Sequence, residues 1–185
     1  MKKATAILFF VLLIVLNLSI KAQSDFGLKG IGAKLGYVSP EDPIESTIGF
    51  GAVVNLGQII PAIKLDAGID YWSKTYDSGS IYGTTWESTI SAITIYGLGK
   101  YYIPVGNTPV KPYGGVGLGF VISKVSVDVP GFSTSESDTD FGFRLVGGAD
   151  YQISPNIKGF AEINYHSNGT DFLGIFAGVV YILGK

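Results

Sequence analysis

Cysteine is absent from this chain, so no disulfide framework holds it together. Long apolar runs are also missing. Beyond residues 7–16, no stretch reaches the ~20 residues that a membrane-spanning helix needs, which argues against helical insertion. Positive charge is sparse, at 13 Lys and Arg against 15 Asp and Glu. No basic patch points to nucleic acid, and no acidic segment has the ligand spacing of a calcium loop. No cofactor and no metal are therefore expected. The residues that are plentiful look contradictory for a chain without long oily runs: 46% is hydrophobic, with 26 glycines and 11 tyrosines.

The N-terminus carries Lys2 and Lys3, then the apolar run Ile7 to Leu16, then Ser19, Ala22 and Gln23. This is the layout of a secretory signal peptide, with cleavage expected after Ala22. A retained anchor is the alternative, but the apolar core is short for spanning. The expected division is a signal peptide over 1–22 and one domain over 23–185. Cleavage removes three lysines and leaves 10 basic and 15 acidic residues, a formal charge of −5.

The pattern that reconciles the composition is alternation. In residues 63–71, Ile63, Leu65, Ala67, Ile69 and Tyr71 alternate with Lys64, Asp66, Gly68 and Asp70. A strand sends successive side chains to opposite faces, so this segment has one oily and one charged face. Similar alternation predicts eight strands, at about 27–38, 46–56, 62–73, 86–102, 110–123, 141–153, 157–166 and 172–183. The fold expected is all-β: an eight-stranded antiparallel up-and-down transmembrane barrel, oily outside and polar inside. The fourth strand reads either way. Thr94, Tyr96, Leu98 and Lys100 face the lumen in one reading and the outside in the other. A water-soluble barrel with the same alternation inverted is the structural competitor, but the strands carry more apolar surface than such an interior can hold.

Short connections after strands two, four and six (57–62, 104–108, 154–156) take turns with longer polar ones over 39–45, 74–85 and 124–140. Outer-membrane barrels have short periplasmic turns and longer external loops. Aromatic residues at both strand ends are expected to form two interfacial girdles. Tyr37, Tyr71, Trp72, Trp86, Phe141, Tyr165 and Phe172 fall on the long-loop side. Tyr101, Tyr102, Tyr113, Tyr151 and Tyr181 fall on the short-turn side. By parity Lys34, Lys64, Asp66, Asp70, Arg144, Asp150 and Glu162 point inward. Eight strands leave an interior just wide enough for side chains to fill, so these charges are expected to pair as a plug. A gated pore or a polar cavity is the alternative. The inward glycines (Gly30, Gly32, Gly49, Gly51, Gly68, Gly115, Gly117, Gly119) leave two options: bulky neighbours lean over them, or a narrow cavity exists.

The run Gly99-Lys-Tyr-Tyr-Ile-Pro104, a short turn, then Lys111-Pro-Tyr-Gly-Gly-Val-Gly-Leu-Gly119 resembles a recurrent signature of the outer-membrane β-barrel domain superfamily. That superfamily includes small eight-stranded OmpA/OmpX-like and porin-like proteins. The resemblance implies insertion by the barrel assembly machinery into a Gram-negative type of outer membrane, among its lipids and lipopolysaccharide. His166-Ser167-Asn168-Gly169 is similar to the His-x-Ser-Asn sequence of lipid A deacylases, with one residue missing. Adjacent residues of a strand point oppositely, so His166 and Ser167 make a poor base–nucleophile pair. The acidic segment 133–140 reads as a solvated loop. Strand five is expected to project beyond the membrane, because Val125-Ser-Val-Asp-Val129 continues its alternation.

The function expected is that of a monomeric, non-enzymatic outer-membrane protein, structural or adhesive, meeting surface ligands through loops 39–45, 74–85 and 124–140. The alternative is a narrow channel or binding protein for small molecules, apolar ones included, acting through the lumen. A lipid A-modifying enzyme using His166 is the third and weakest reading.

Overall fold

The computed structural model describes residues 25–60, 62–81, 84–106, 108–129, 131–167 and 171–183. The expected signal segment lies outside these residues, as do Asn107, Asn168 and Gly169. Eight strands follow in order: β1 (Phe26–Pro40), β2 (Thr47–Ile60), β3 (Ile63–Ile81), β4 (Thr84–Tyr102), β5 (Val110–Val129), β6 (Phe132–Ser154), β7 (Ile157–Ser167) and β8 (Phe172–Ile182). Each pairs antiparallel with the next, and β1 pairs with β8 from Gly30↔Ile182 to Pro40↔Phe172. The sheet therefore closes into a barrel with no open edge at its waist. Closure is what allows strands to cross hydrocarbon, because every backbone group there finds a partner.

The oily stripe points outward. Ile163 is 48% exposed and Val116 66%, whereas Arg144 is fully enclosed and Asp70 is 2% exposed. A water-soluble barrel would invert these figures, and Ile69, which such a barrel would shield, is 44% exposed. Strand β4 takes the first of its two facings. Thr94, Tyr96, Leu98 and Lys100 are buried in the lumen, and Ile95 and Tyr101 lie outside.

The inward glycines are occupied by their neighbours' bulk. A Cβ on Gly36 would stand 2.6 Å from the Phe176 ring, one on Gly178 2.6 Å from Phe160, and one on Gly148 2.8 Å from the Tyr113 hydroxyl. On Gly68 it would strike the Tyr96 phenol. Of the two options for these glycines, the leaning neighbour is the one realised.

Two of the three long loops are strands. The segments 74–85 and 124–140, expected as loops apart from the projecting end of strand five over 125–129, mostly continue the β3–β4 and β5–β6 ladders. Their pairings run out to Ile81↔Thr84 and Val129↔Phe132. The physical reason is that Thr89, Ile90, Val125, Val127, Thr134 and Thr139 keep β-branched residues in register, so polarity alone does not end a strand. Gly131, at φ +87°, turns the second hairpin. The neighbouring ladders stop earlier: β2–β3 at Gly49↔Trp72 and β6–β7 at Phe143↔Ser167. Strands β3 to β6 therefore stand out of the barrel as a four-stranded sheet. Segment 39–45 remains partly a loop after β1. It is pinned to that sheet, since the Glu45 N–H donates to the Tyr76 hydroxyl at 2.7 Å and Lys74 pairs with Glu45 at 2.7 Å. The hydrogen bond to Glu45 raises the Lys74 ammonium above its ordinary pKa.

Candidate functional site

The lumen is stacked in three layers, each built from the inward parity of several strands. Nearest the protruding sheet is an apolar layer of Val38, Trp72, Ala92, Val121, Phe172 and Phe176. His166 is enclosed beside it, its ring stacked on Phe172 at 5.2 Å and 6°. Ser167, next along β7, belongs to the opposite parity with Tyr165, so the strand presents no base–nucleophile pair on one face.

The middle layer is a closed quartet of charge. Lys34 Nζ lies 2.9 Å from Asp70 and 3.0 Å from Glu162. Arg144 donates to Asp70 Oδ2 at 2.7 Å and to Glu162 Oε1 at 3.2 Å. Two cations and two carboxylates cancel, and each carboxylate touches both cations. Tyr96 seals one side: Lys34 donates to its hydroxyl at 3.0 Å, and the guanidinium sits 4.1 Å from its ring centroid. Tyr113 donates to Glu162 at 3.2 Å. Charges this deeply buried persist when they are paired, and here the ion pairs hold although Arg144 Nε has no hydrogen bond.

The third layer faces the short turns. Lys100 pairs with Asp66 at 2.7 Å, and Asn55 donates to the same carboxylate at 2.7 Å. Asp150 receives Lys158 at 2.7 Å and the Tyr102 hydroxyl at 2.6 Å. Below it the lumen opens into a cavity of about 350 Å³. Lys64 stands at this opening, exposed, with its ammonium 4.6 Å from the Tyr102 ring centroid. Among the described residues no group of His, Cys, Asp and Glu is arranged to hold a metal ion.

The outer membrane protein beta-barrel domain family matches residues 8–181. This chain belongs to that family. Solved structures with the same fold include three small barrels. Neisserial surface protein A (NspA) is 20% identical, with TM-score 0.55, over 83% of this chain and 96% of that one. Ail of Yersinia pestis, solved with the heparin analogue sucrose octasulfate, is 16% identical, with TM-score 0.59, over 84% and 100%. OprG of Pseudomonas aeruginosa is 15% identical, with TM-score 0.56, over 86% and 95%. No curated protein matches the chain by sequence.

In this outer-membrane barrel the lumen charges expected from parity fall at three levels. Lys34, Asp70, Arg144 and Glu162 come together at the waist; Asp66 and Asp150 lie below them in separate pairs, and Lys64 stays at the mouth. The expected inward set left out Lys158, although its parity with Phe160, Glu162, Asn164 and His166 places it there.

The aromatic set needs correction at five positions. Trp72 (2% exposed), Tyr113 (2%) and Phe172 (3%) are lumen residues, as is Tyr102, which is bound to Asp150. Trp86 lies seven residues along β4 past Ile93, on the protruding sheet and on the face continuing Ala92 and Thr94. Strand-end position gives a residue's height, but its side is fixed by parity, and all five share parity with inward neighbours. On the outer face stand Tyr37, Tyr101, Tyr151, Tyr165, Tyr181 and Phe141, all exposed, with Tyr71 packed on Phe50 at 5.2 Å.

Proposed function

We propose that this outer-membrane protein is non-enzymatic and adhesive, with the sheet of β3 to β6 as its contact surface outside the cell. The observation that carries this reading is the pair of edges on that sheet. Beyond Trp72 the outer side of β3 has no strand partner among the described residues, and neither does β6 before Phe143. Apart from the Ser73 carbonyl, which accepts from the Thr47 hydroxyl, ladder groups without a strand partner in a projecting sheet offer main-chain hydrogen bonds to an added strand. The charge on the sheet narrows the partner. Glu87, Asp128, Glu136, Asp138 and Asp140 outnumber Lys74 and Lys124 along it, so a polyanion of the kind seen with Ail is disfavoured. A neutral or basic protein segment fits.

The short turns then face the periplasm, and Tyr37, Tyr71, Phe141 and Tyr165 with Tyr101, Tyr151 and Tyr181 anchor the two bilayer interfaces as a monomer. Insertion proceeds through the barrel assembly machinery among lipids and lipopolysaccharide, after removal of residues 1–22. The closed charge quartet disfavours the channel alternative. The enclosure of His166, away from Ser167, disfavours the lipid-modifying one.

Replacing residues 126–135 by Asn-Gly leaves Val125 opposite Glu136 across a two-residue turn. Vesicles carrying the shortened protein are expected to lose binding to host or neighbouring cells while the barrel keeps its heat-modifiable gel migration. Undiminished binding by the shortened form would remove the adhesive reading.

A further inference from the structure

The short-turn mouth of the lumen has an unbalanced set of charges. Three carboxylates line its cavity, and each already has a lysine. Asp25 is held by Lys29 at 2.5 Å, Asp66 by Lys100 at 2.7 Å, and Asp150 by Lys158 at 2.7 Å. Asp66 Oδ1 also accepts from Asn55, and Asp150 Oδ2 from the Tyr102 hydroxyl, which leaves Asp150 Oδ1 without a hydrogen bond. Two lysines on the same wall, Lys64 and Lys111, have no carboxylate within ion-pair distance among the described residues. Lys111 sits opposite Asp150 in the β5–β6 register, yet that carboxylate is taken by Lys158 from the next strand.

Both free ammoniums, together with Gln58 and Tyr102, also line a second cavity of about 560 Å³ beside the first. Its far wall is apolar: Tyr101, Ile103, Pro104 and Val105, at the rim where the strand leaves the bilayer. Volumes of this order are those of small-molecule sites. The two cavities thus share one positively charged partition with an amide donor beside it, and the carboxylates of the floor have their ion pairs with Lys100 and Lys158 rather than with Lys64 or Lys111.

We infer that this partition is a binding site for a phosphate group, gripped by Lys64 and Lys111 with the Gln58 amide as a further donor. Two unmatched positive charges call for about two negative ones. A phosphate monoester carries roughly −1.5 to −2 near neutral pH and offers several strong acceptor oxygens. A single carboxylate would leave one ammonium uncompensated. Lysine suits this role as a mobile point charge on phosphate. The apolar wall of the second cavity is placed to receive the organic part of the ligand. The phosphate can come from a small soluble ester or from a phospholipid headgroup at the rim, and the experiment separates these sources.

The test is calorimetric titration of the folded full-length protein in a phosphate-free, uncharged detergent. The probes are inorganic phosphate, glycerol 3-phosphate and phosphatidic acid, the last a lipid that carries a phosphate monoester. Saturable binding of at least one probe is expected. Lys64→Gln and Lys111→Gln should each weaken it about tenfold, the scale of one charge-assisted hydrogen bond. Lys124→Gln on the outer sheet should leave it unchanged, and Lys64→Arg should retain it. Heat-modifiable migration establishes that each variant is folded, and the arginine variant keeps the test decisive if a glutamine one is not. Saturation by either water-soluble probe assigns the site to soluble phosphates, and saturation by phosphatidic acid alone assigns it to the lipid. Absence of saturation with all three, or binding that survives both glutamine substitutions, overturns the inference.

Discussion

Arg144 decides the electrostatics of the waist, since it is enclosed and spans both carboxylates of the quartet. Removing its charge leaves Asp70 and Glu162 with one cation between them in a low-dielectric interior. Breaking a buried pair in this way costs about 3–5 kcal/mol. Arg144→Met is therefore expected to lower unfolding stability by that amount, measured by urea titration in lipid vesicles. Adding Asp70→Asn restores neutrality and should recover a good part of the loss. If Arg144→Met were neutral, the quartet would not be holding the waist. The inward charges themselves were legible in the sequence, because a charged side chain in an oily alternation must point away from lipid. Their partners were not. Lys34 meets Asp70 across 36 residues and Glu162 across 128, and such pairings depend on barrel closure rather than on spacing.

At the scale of the strands, number, order and most of the bounds followed from two-residue alternation. The far end of β3 and the start of β6 did not, because the projecting hairpins keep strand-forming residues while turning polar on both faces. Phe172 and Tyr113 show a second limit. An aromatic near a strand end fits a girdle by composition, yet a facing glycine makes room for it inside, as Gly148 does for Tyr113. The facings of β3 and β4 have an optical consequence, since the chain has two tryptophans. Trp72 is enclosed in the lumen and Trp86 stands on the projecting sheet. Phospholipids brominated along their acyl chains are expected to leave tryptophan emission unchanged, while aqueous acrylamide reduces the Trp86 component. Strong quenching by the brominated chains would place a tryptophan on the lipid face and contradict the assigned facings.

For the molecule as a whole, the fold amounts to one separation: apolar side chains outside a closed sheet, and paired charges within it. Without cysteine or a water-soluble core, the barrel is held by its closed hydrogen-bonded ladder, by the glycine-accommodated rings and by the neutral charge layers. Its two ends differ in kind. One projects an acidic sheet whose edges lack a strand partner among the described residues, and the other opens into a lysine-lined mouth. The most direct test of the separation uses the absence of native cysteine. Single cysteines at Leu118, Ile163 and Ile175 would carry nitroxide labels in reconstituted bilayers, for collision measurements with oxygen and with a water-soluble nickel complex. Oxygen-rich, nickel-poor collisions at all three are expected, because these positions face hydrocarbon. Nickel-accessible labels at the same three sites would contradict the outward-facing apolar surface, and the account with it.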